Sequence, residues 1–191
     1  MPWRAMKTNK KYIFITERLG FRNWDKSDLD AFSKLNADPE VMSYFPKTLT
    51  RNETADFIER LQNHYIKKGY NYFATEILDT GEFIGFIGLA HQKYESDFTP
   101  ATDIGWRLKQ SAWRQGYATE GAKKCLEFAF ETLKLNKIIA TCTVQNFKSE
   151  LVMKKLGMKK LTAFNHPNLK EHPEFQKCIC YEINKSDYTE S

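Results

Sequence analysis

The nine residues Trp113-Arg114-Gln115-Gly116-Tyr117-Ala118-Thr119-Glu120-Gly121 constrain this chain more than any other stretch. They follow a strand-like run, Thr102 to Leu108, and open a long amphipathic helix. Gly116 and Ala118 are small, so another backbone or a ligand can come close. The first N–H groups of a helix have no acceptor inside it and lie at the positive end of its dipole. A strand, a loop carrying Gly116 and Ala118, and then a helix therefore make a cradle for a pyrophosphate. The same residues also suit a plain strand-to-helix turn, because short glycine motifs recur without a ligand.

The pattern around this stretch alternates between strands and helices. Residues 12–24 read as one strand, and Asp25 or Ser27 caps a helix carrying Leu29, Phe32 and Leu35. A second short helical piece is expected at Asp38-Pro39. Thr50 and Glu53 form a capping box for a helix with Phe57, Ile58, Leu61 and Tyr65 on one side. Two strands, 71–78 and 82–90, flank the turn Asp79-Thr80-Gly81. Gly85 and Gly88 inside the second predict a bulge or a close approach. A further strand spans 101–108. The helix after it runs from 116 to about 133, with small or apolar residues at 118, 122, 125, 126, 129, 130 and 133. A strand at Ile138 to Val144 and a helix that starts at Asn146 or Ser149 and stops at Gly157 follow. Two last strands complete the chain. The order β-α-α-β-β-β-α-β-α-β-β is that of an α/β or α+β fold with a mixed, mostly antiparallel central sheet flanked by helices.

Bulk composition narrows the class. With 191 residues, 41% of them hydrophobic and 14% aromatic, the chain can build one substantial core. We expect a single domain over residues 12–191, preceded by a basic, flexible extension at 1–11. The net charge of +5 suits an anionic ligand and is weak support for nucleic acid. Cys125, Cys142, Cys178 and Cys180 form no C-x-x-C pair and have no zinc-finger spacing to histidine, so free thiols and no metal are expected. No run approaches a membrane span, and no apolar signal core opens the chain, which points to a cytoplasmic protein without a membrane partner.

Several motifs in this order carry a resemblance: Thr16-Glu17-Arg18-Leu19, Asp38-Pro39-Glu40-Val41-Met42, Gly81 to Gly85, Ile104-Gly105-Trp106-Arg107-Leu108, Trp113 to Gly121, then Asn146, Ser149 and Leu156-Gly157-Met158. Together, from about Thr16 to Ile183, they resemble the GCN5-related N-acetyltransferase (GNAT) superfamily, in the branch of ribosomal-protein serine/alanine N-terminal acetyltransferases. Trp113 stands where the superfamily usually has Gln or Arg, and Gly116-Tyr117-Ala118 keeps the rest of its loop.

The resemblance implies acetyl-CoA as co-substrate. Backbone amides of Gln115, Gly116, Tyr117, Ala118 and Thr119 would hold its pyrophosphate, and Arg114 would add charge. The strand through Trp106 to Leu108 would bond the pantetheine arm as a partial extra strand. Asn146 and Ser149 would contact the pantetheine or lie near the thiol. The implied reaction is acetyl transfer to a primary amine by direct attack. A protein or peptide N-terminus is the first acceptor; a polyamine, aminoglycoside or amino-acid-like amine is the alternative, as is acyl-CoA binding without turnover. The protein would act as a monomer or homodimer.

Such chemistry needs a base for the amine and a donor for the thiolate. Asp103 is the first candidate base, with a solvated or ion-paired strand carboxylate as the alternative; Glu76 and His91 follow. Many acetyltransferases carry a tyrosine where this chain has Met153, which has no proton to give. Ser149, or an ordered water, takes the donor role; Ser149 as a mere helix cap is the alternative. His166, Trp24, Phe45, Tyr70 and Tyr72 are candidates for shaping the acceptor side.

Overall fold

The computed structural model describes residues 11–188. Eight strands form one sheet, and five α-helices surround it. In chain order they are β1 (Phe14–Ile15), β2 (Leu19–Arg22), α1 (Leu29–Asn36), α2 (Arg51–Lys68), β3 (Tyr72–Ile77), β4 (Phe83–Gln92) and β5 (Ala101–Leu108). There follow α3 (Tyr117–Glu127), β6 (Lys137–Thr143), α4 (Phe147–Lys155), β7 (Lys159–Asn165), α5 (Pro173–Gln176) and β8 (Lys177–Asn184). The sheet order is β1-β2-β3-β4-β5-β6-β8-β7. Every neighbouring pair is antiparallel except β5 and β6, which run parallel. The expected mixed, mostly antiparallel sheet is the one observed.

Three local expectations are corrected. The strand drawn through 12–24 is a tight hairpin of β1 and β2. The Thr16 hydroxyl accepts from the Leu19 N–H, and a backbone bond joins Thr16 to Leu19, so the chain reverses where a continuous strand was expected. Asp38-Pro39 opens turns and not a helix, because the Asp38 carboxylate accepts from the Glu40 N–H and competes with a helical turn. The helix after Gly116 is α-helical only to Glu127 and widens into a π turn at Phe128–Thr132, where the Leu133 N–H reaches back to Phe128. Of the expected extension at 1–11, residues 1–10 lie outside the described residues. Lys11 is described, and its ammonium meets Glu76.

Two apolar clusters hold the layers together. On one face, Phe21, Phe73, Ile87, Leu89 and Ile104 pack against Ala122, Cys125, Leu126 and Phe130 from α3 and its π turn. On the other, Phe32 and Leu35 of α1 and Ile58 and Leu61 of α2 pack on Trp24, Ala74 and Phe86. Phe32 is fully buried against Trp24 and Phe86, so truncation to Ala should cost about 3–5 kcal/mol. The Thr50–Glu53 capping box starts α2 as expected. A register shift between Thr75 and Glu76, opposite Gly85 at φ 130°, is the bulge that the glycine signalled. The four cysteines are free thiols; Cys125, Cys178 and Cys180 are buried and Cys142 is half-buried.

Candidate active site

The loop before α3 has the shape its sequence implied. Arg114 and Gly116 both adopt left-handed backbone, at φ 60° and 82°. At Gly116 a side chain would be strained by conformation more than by crowding, since an added Cβ meets only the Arg18 guanidinium, at 3.4 Å. The first N–H to close onto the helix is that of Glu120, which reaches the Gly116 carbonyl. The N–H groups of Tyr117, Ala118 and Thr119 therefore have no acceptor in α3. Arg18 braces this loop: it donates to the Gln115 carbonyl at 3.0 Å, pairs with Glu120 at 2.5 Å and lies over the Tyr117 ring. Arg114, Gln115 and Gly116 are exposed, Tyr117 is buried, and Ala118 and Thr119 are half-buried. These residues fit a pyrophosphate.

A gap in the sheet leads away from the cradle. β5 and β6 share a single register pair, Asp103 with Ile139. Beyond it β5 continues through Trp106 to Leu108 with its β6 side unladdered, while β6 pairs onward with β8. Leu108 is buried, and its carbonyl accepts from the Trp113 indole at 2.7 Å. Across the gap, Asn146 caps α4 by accepting from the Ser149 N–H at 3.1 Å, and both residues are half-buried. The Lys148 ammonium lies 4.5 Å from the centre of the Trp113 ring, which brings the start of α4 against the cradle. Met153 is core.

Asp103 sits where β5 and β6 part, and it is buried. Tyr72 donates its hydroxyl to one carboxylate oxygen at 2.7 Å, and the Gln92 amide donates to the other at 3.0 Å. Gly105 makes room for this, because a Cβ there would lie 3.1 Å from the Tyr72 ring. Phe86 stacks on that ring, with centroids 4.9 Å apart. Burial pushes the Asp103 carboxyl up to about 7, against the pull of Tyr72, Gln92 and the Ala90 N–H. The Tyr94 hydroxyl is buried near Thr141 without a hydrogen bond of normal geometry.

Arg107 lies on the same face of β5 as Asp103, two pleats along. It lines a cavity of about 310 Å³ with Met42, Phe45, Leu49, Leu169 and His172. A larger cavity near the far end of α3 is lined by Lys123, Lys155 and Asp187 and shares no residue with β5 or the cradle.

The other candidates separate. Glu76 accepts from Tyr12 and Arg22, each at 2.7 Å, and pairs with Lys11. Trp24 is core, its indole bonded to the Tyr72 carbonyl. Tyr70 is buried on the opposite face against Thr102. His91 and His166 are both lowered by burial; the His166 ring packs 4.3 Å from that of Tyr94. Gln92, Tyr94 and Arg107 were not singled out from sequence. The available signal was the period-two alternation that sets Asp103, Gly105 and Arg107 on one face.

Comparison with known proteins decides the family. Residues 18–159 match the model of an acetyltransferase (GNAT) domain. The chain belongs to the GNAT acetyltransferase family. A Bacillus subtilis (strain 168) protein named as an uncharacterized N-acetyltransferase is 32% identical over 146 residues, 76% of this chain and 81% of that one. Two solved structures share the fold. Spermidine N-acetyltransferase from Vibrio cholerae, in complex with CoA and spermine, aligns with TM-score 0.69 at 19% identity, over 91% of this chain and 99% of that one. The ribosomal-protein-S5-alanine acetyltransferase from Vibrio fischeri aligns at 0.72 and 16% identity, over 93% and 98%. At those identities the likeness is one of fold.

As a GNAT enzyme the chain is an acetyl-CoA-dependent N-acetyltransferase. Acetyl-CoA supplies the acetyl group. Among the described residues no helix is long and apolar enough to cross a membrane.

Proposed function

We propose that this GNAT enzyme acetylates an amine of low basicity, a protein or peptide N-terminus first, by direct attack on acetyl-CoA in a ternary complex. The position of Asp103 carries the reading. It is a buried carboxylate at the mouth of the β5–β6 gap, on the strand whose other end leads to the cradle. With its pKa near 7, about half of Asp103 is ionised at neutral pH. An α-amine, with pKa near 7.7–8.0, is well matched to such a base, whereas a lysine side chain near 10.4 is not. The attacking amine gives its proton to Asp103, and the Tyr72 and Gln92 donors hold the carboxylate in place. The Ser149 hydroxyl, on the first turn of α4, donates a hydrogen bond to the departing thiolate, which takes its proton from water. A polyamine would want facing carboxylates, and the cavity beside Arg107 is lined instead by Lys47, Arg107 and His172 among its charged and titratable groups.

Calorimetric titration with acetyl-CoA tests the donor side. Wild type should bind at micromolar level and Gly116→Trp should not; no binding to wild type would remove the reading. CoA release with peptides bearing free N-termini, set beside spermidine, tests the acceptor. Faster release with spermidine would replace the N-terminus by a polyamine.

A further inference from the structure

The cation at Arg107 has no anion of its own. Its guanidinium donates one bond, from Nη1 to the Asn36 side-chain oxygen at 2.7 Å. Nε is shielded from solvent and has no hydrogen-bond partner. Among the described residues no carboxylate pairs with Arg107. The rings of Phe45, Phe86 and Phe57 surround it, with centroids 4.3, 5.3 and 5.8 Å from its central carbon. Burial lowers its pKa to about 10, so it keeps its charge at neutral pH.

Contrast with the other cations is informative. Arg22 is met by Asp28 and Glu76. Lys47, which shares the cavity with Arg107, is already paired with Glu53. A charge removed from water is expensive unless paired, and removing its partner is worse than never having had one. Arg107 is stacked, desolvated on its Nε side and open to a cavity lined by Met42, Phe45, Pro46, Leu49 and Leu169. The guanidinium fork is shaped for a carboxylate.

We infer that Arg107 is the specificity residue of the acceptor pocket, and that it selects an amine whose molecule also carries a carboxylate beside an apolar group. This rests on the acetyltransferase reading above and narrows its acceptor. Asp103 and Arg107 are four residues apart on one strand, or roughly 13 Å along it. The carboxylate and the attacking amine are therefore several bonds apart, as in a short peptide. The cavity's apolar wall takes the side chain next to that carboxylate.

The test uses 3-phenylpropionate and 3-phenylpropanamide, which share one skeleton and differ in the charged carboxylate against a neutral amide, titrated into the full chain while the Arg107 Nε–H resonance is followed by NMR. The acid should shift that resonance and bind about tenfold tighter than the amide. It should also compete with Ala-Phe in CoA release, and Ala-Phe should outpace Ala-Phe-amide as acceptor. Arg107→Met should erase the preference for the acid, and Arg107→Lys should keep part of it. Equal binding of acid and amide, no binding of either, or binding without competition would overturn the inference. Because the resonance is read on the wild-type protein, a variant that fails to fold leaves the result intact. Acetyl-CoA titration separates the two failures. If acetyl-CoA binds and the acid does not, only the acceptor class is lost; if the acid binds and acetyl-CoA does not, the transferase reading is lost.

Discussion

Glu76 and Asp103 are both almost fully buried carboxylates on the central sheet, and the protein treats them in opposite ways. Glu76 on β3 is surrounded by Lys11, Tyr12 and Arg22, with Arg22 shared by Asp28. Burial alone would raise its pKa, but these partners outweigh burial and hold it below the usual carboxylate value. Asp103 on β5 has only neutral donors, Tyr72, Gln92 and the Ala90 N–H, so burial prevails and lifts it to about 7. A buried carboxylate is locked in the charged form by cations and left poised near neutrality by neutral donors. The first arrangement fastens the β1–β2 hairpin to the sheet. The second suits a base.

The contrast has a sign for stability. Asp103 has a raised native pKa, so its folded form holds a proton that the unfolded chain gives up between about pH 4 and 7. Its burial is harmless below that window and costs stability as pH rises through it. At about 1.4 kcal/mol for each tenfold change in acidity, the cost has a ceiling of roughly 4 kcal/mol above pH 7. Glu76 runs the other way: its contribution is present above the unfolded carboxylate value and is lost as pH falls toward its lowered native value.

The largest effect should come from Asp103→Asn. Turnover should fall by about 100-fold or more while acetyl-CoA affinity stays within twofold, as steady-state kinetics and calorimetry would show. The variant's unfolding free energy relative to wild type should grow more favourable between pH 5 and pH 8. Unchanged turnover would remove Asp103 from the reaction and leave two structural carboxylates.

Glu76→Gln should do the reverse. Denaturant unfolding should show a loss of roughly 3 kcal/mol, because Arg22 and Lys11 lose a shared anion. Turnover per folded molecule should stay within about twofold, since Glu76 lies on neither the cradle nor the acceptor cavity. A deep loss of turnover in well-folded protein would break the division between the two acids.

Tyr72→Phe is the smallest change and sharpens the comparison. It removes a donor that favours the charged Asp103, so the carboxyl pKa should rise further above 7. The rate at pH 7 should drop several-fold and recover at higher pH, which a pH–rate profile would reveal. A profile that stays in place would mean Tyr72 serves packing alone.

How much of this was legible in the sequence differs between the parts. The shape of the loop before α3 was readable because its physics is local: a glycine at a helix start, small residues beside it and a strand before it. Gly116 indeed takes left-handed backbone, and Arg18, brought from the first hairpin, braces the same loop. Strands and capped helices were readable from period and capping boxes. The hairpin at Thr16 was missed because one hydroxyl-to-backbone bond decides it. The resemblance ranked Asp103 ahead of Glu76, but the sequence did not carry the opposite electrostatics of the two. That difference depends on partners 65 residues away for Lys11 and 31 for Tyr72, which only the sheet register brings together. Arg107 escaped notice because a lone arginine in a strand is ordinary; its missing anion is visible only in three dimensions.

The most direct measurement is a carbon-13 NMR titration of the side-chain carboxyls of Glu and Asp, with Asp103→Asn and Glu76→Gln used to assign the two signals. The account predicts an Asp103 midpoint near pH 7 and a Glu76 midpoint below 4.5 in the same sample. An Asp103 midpoint near 4 would contradict it, because a carboxyl of ordinary acidity there would be neither desolvated nor poised to take a proton from an α-amine.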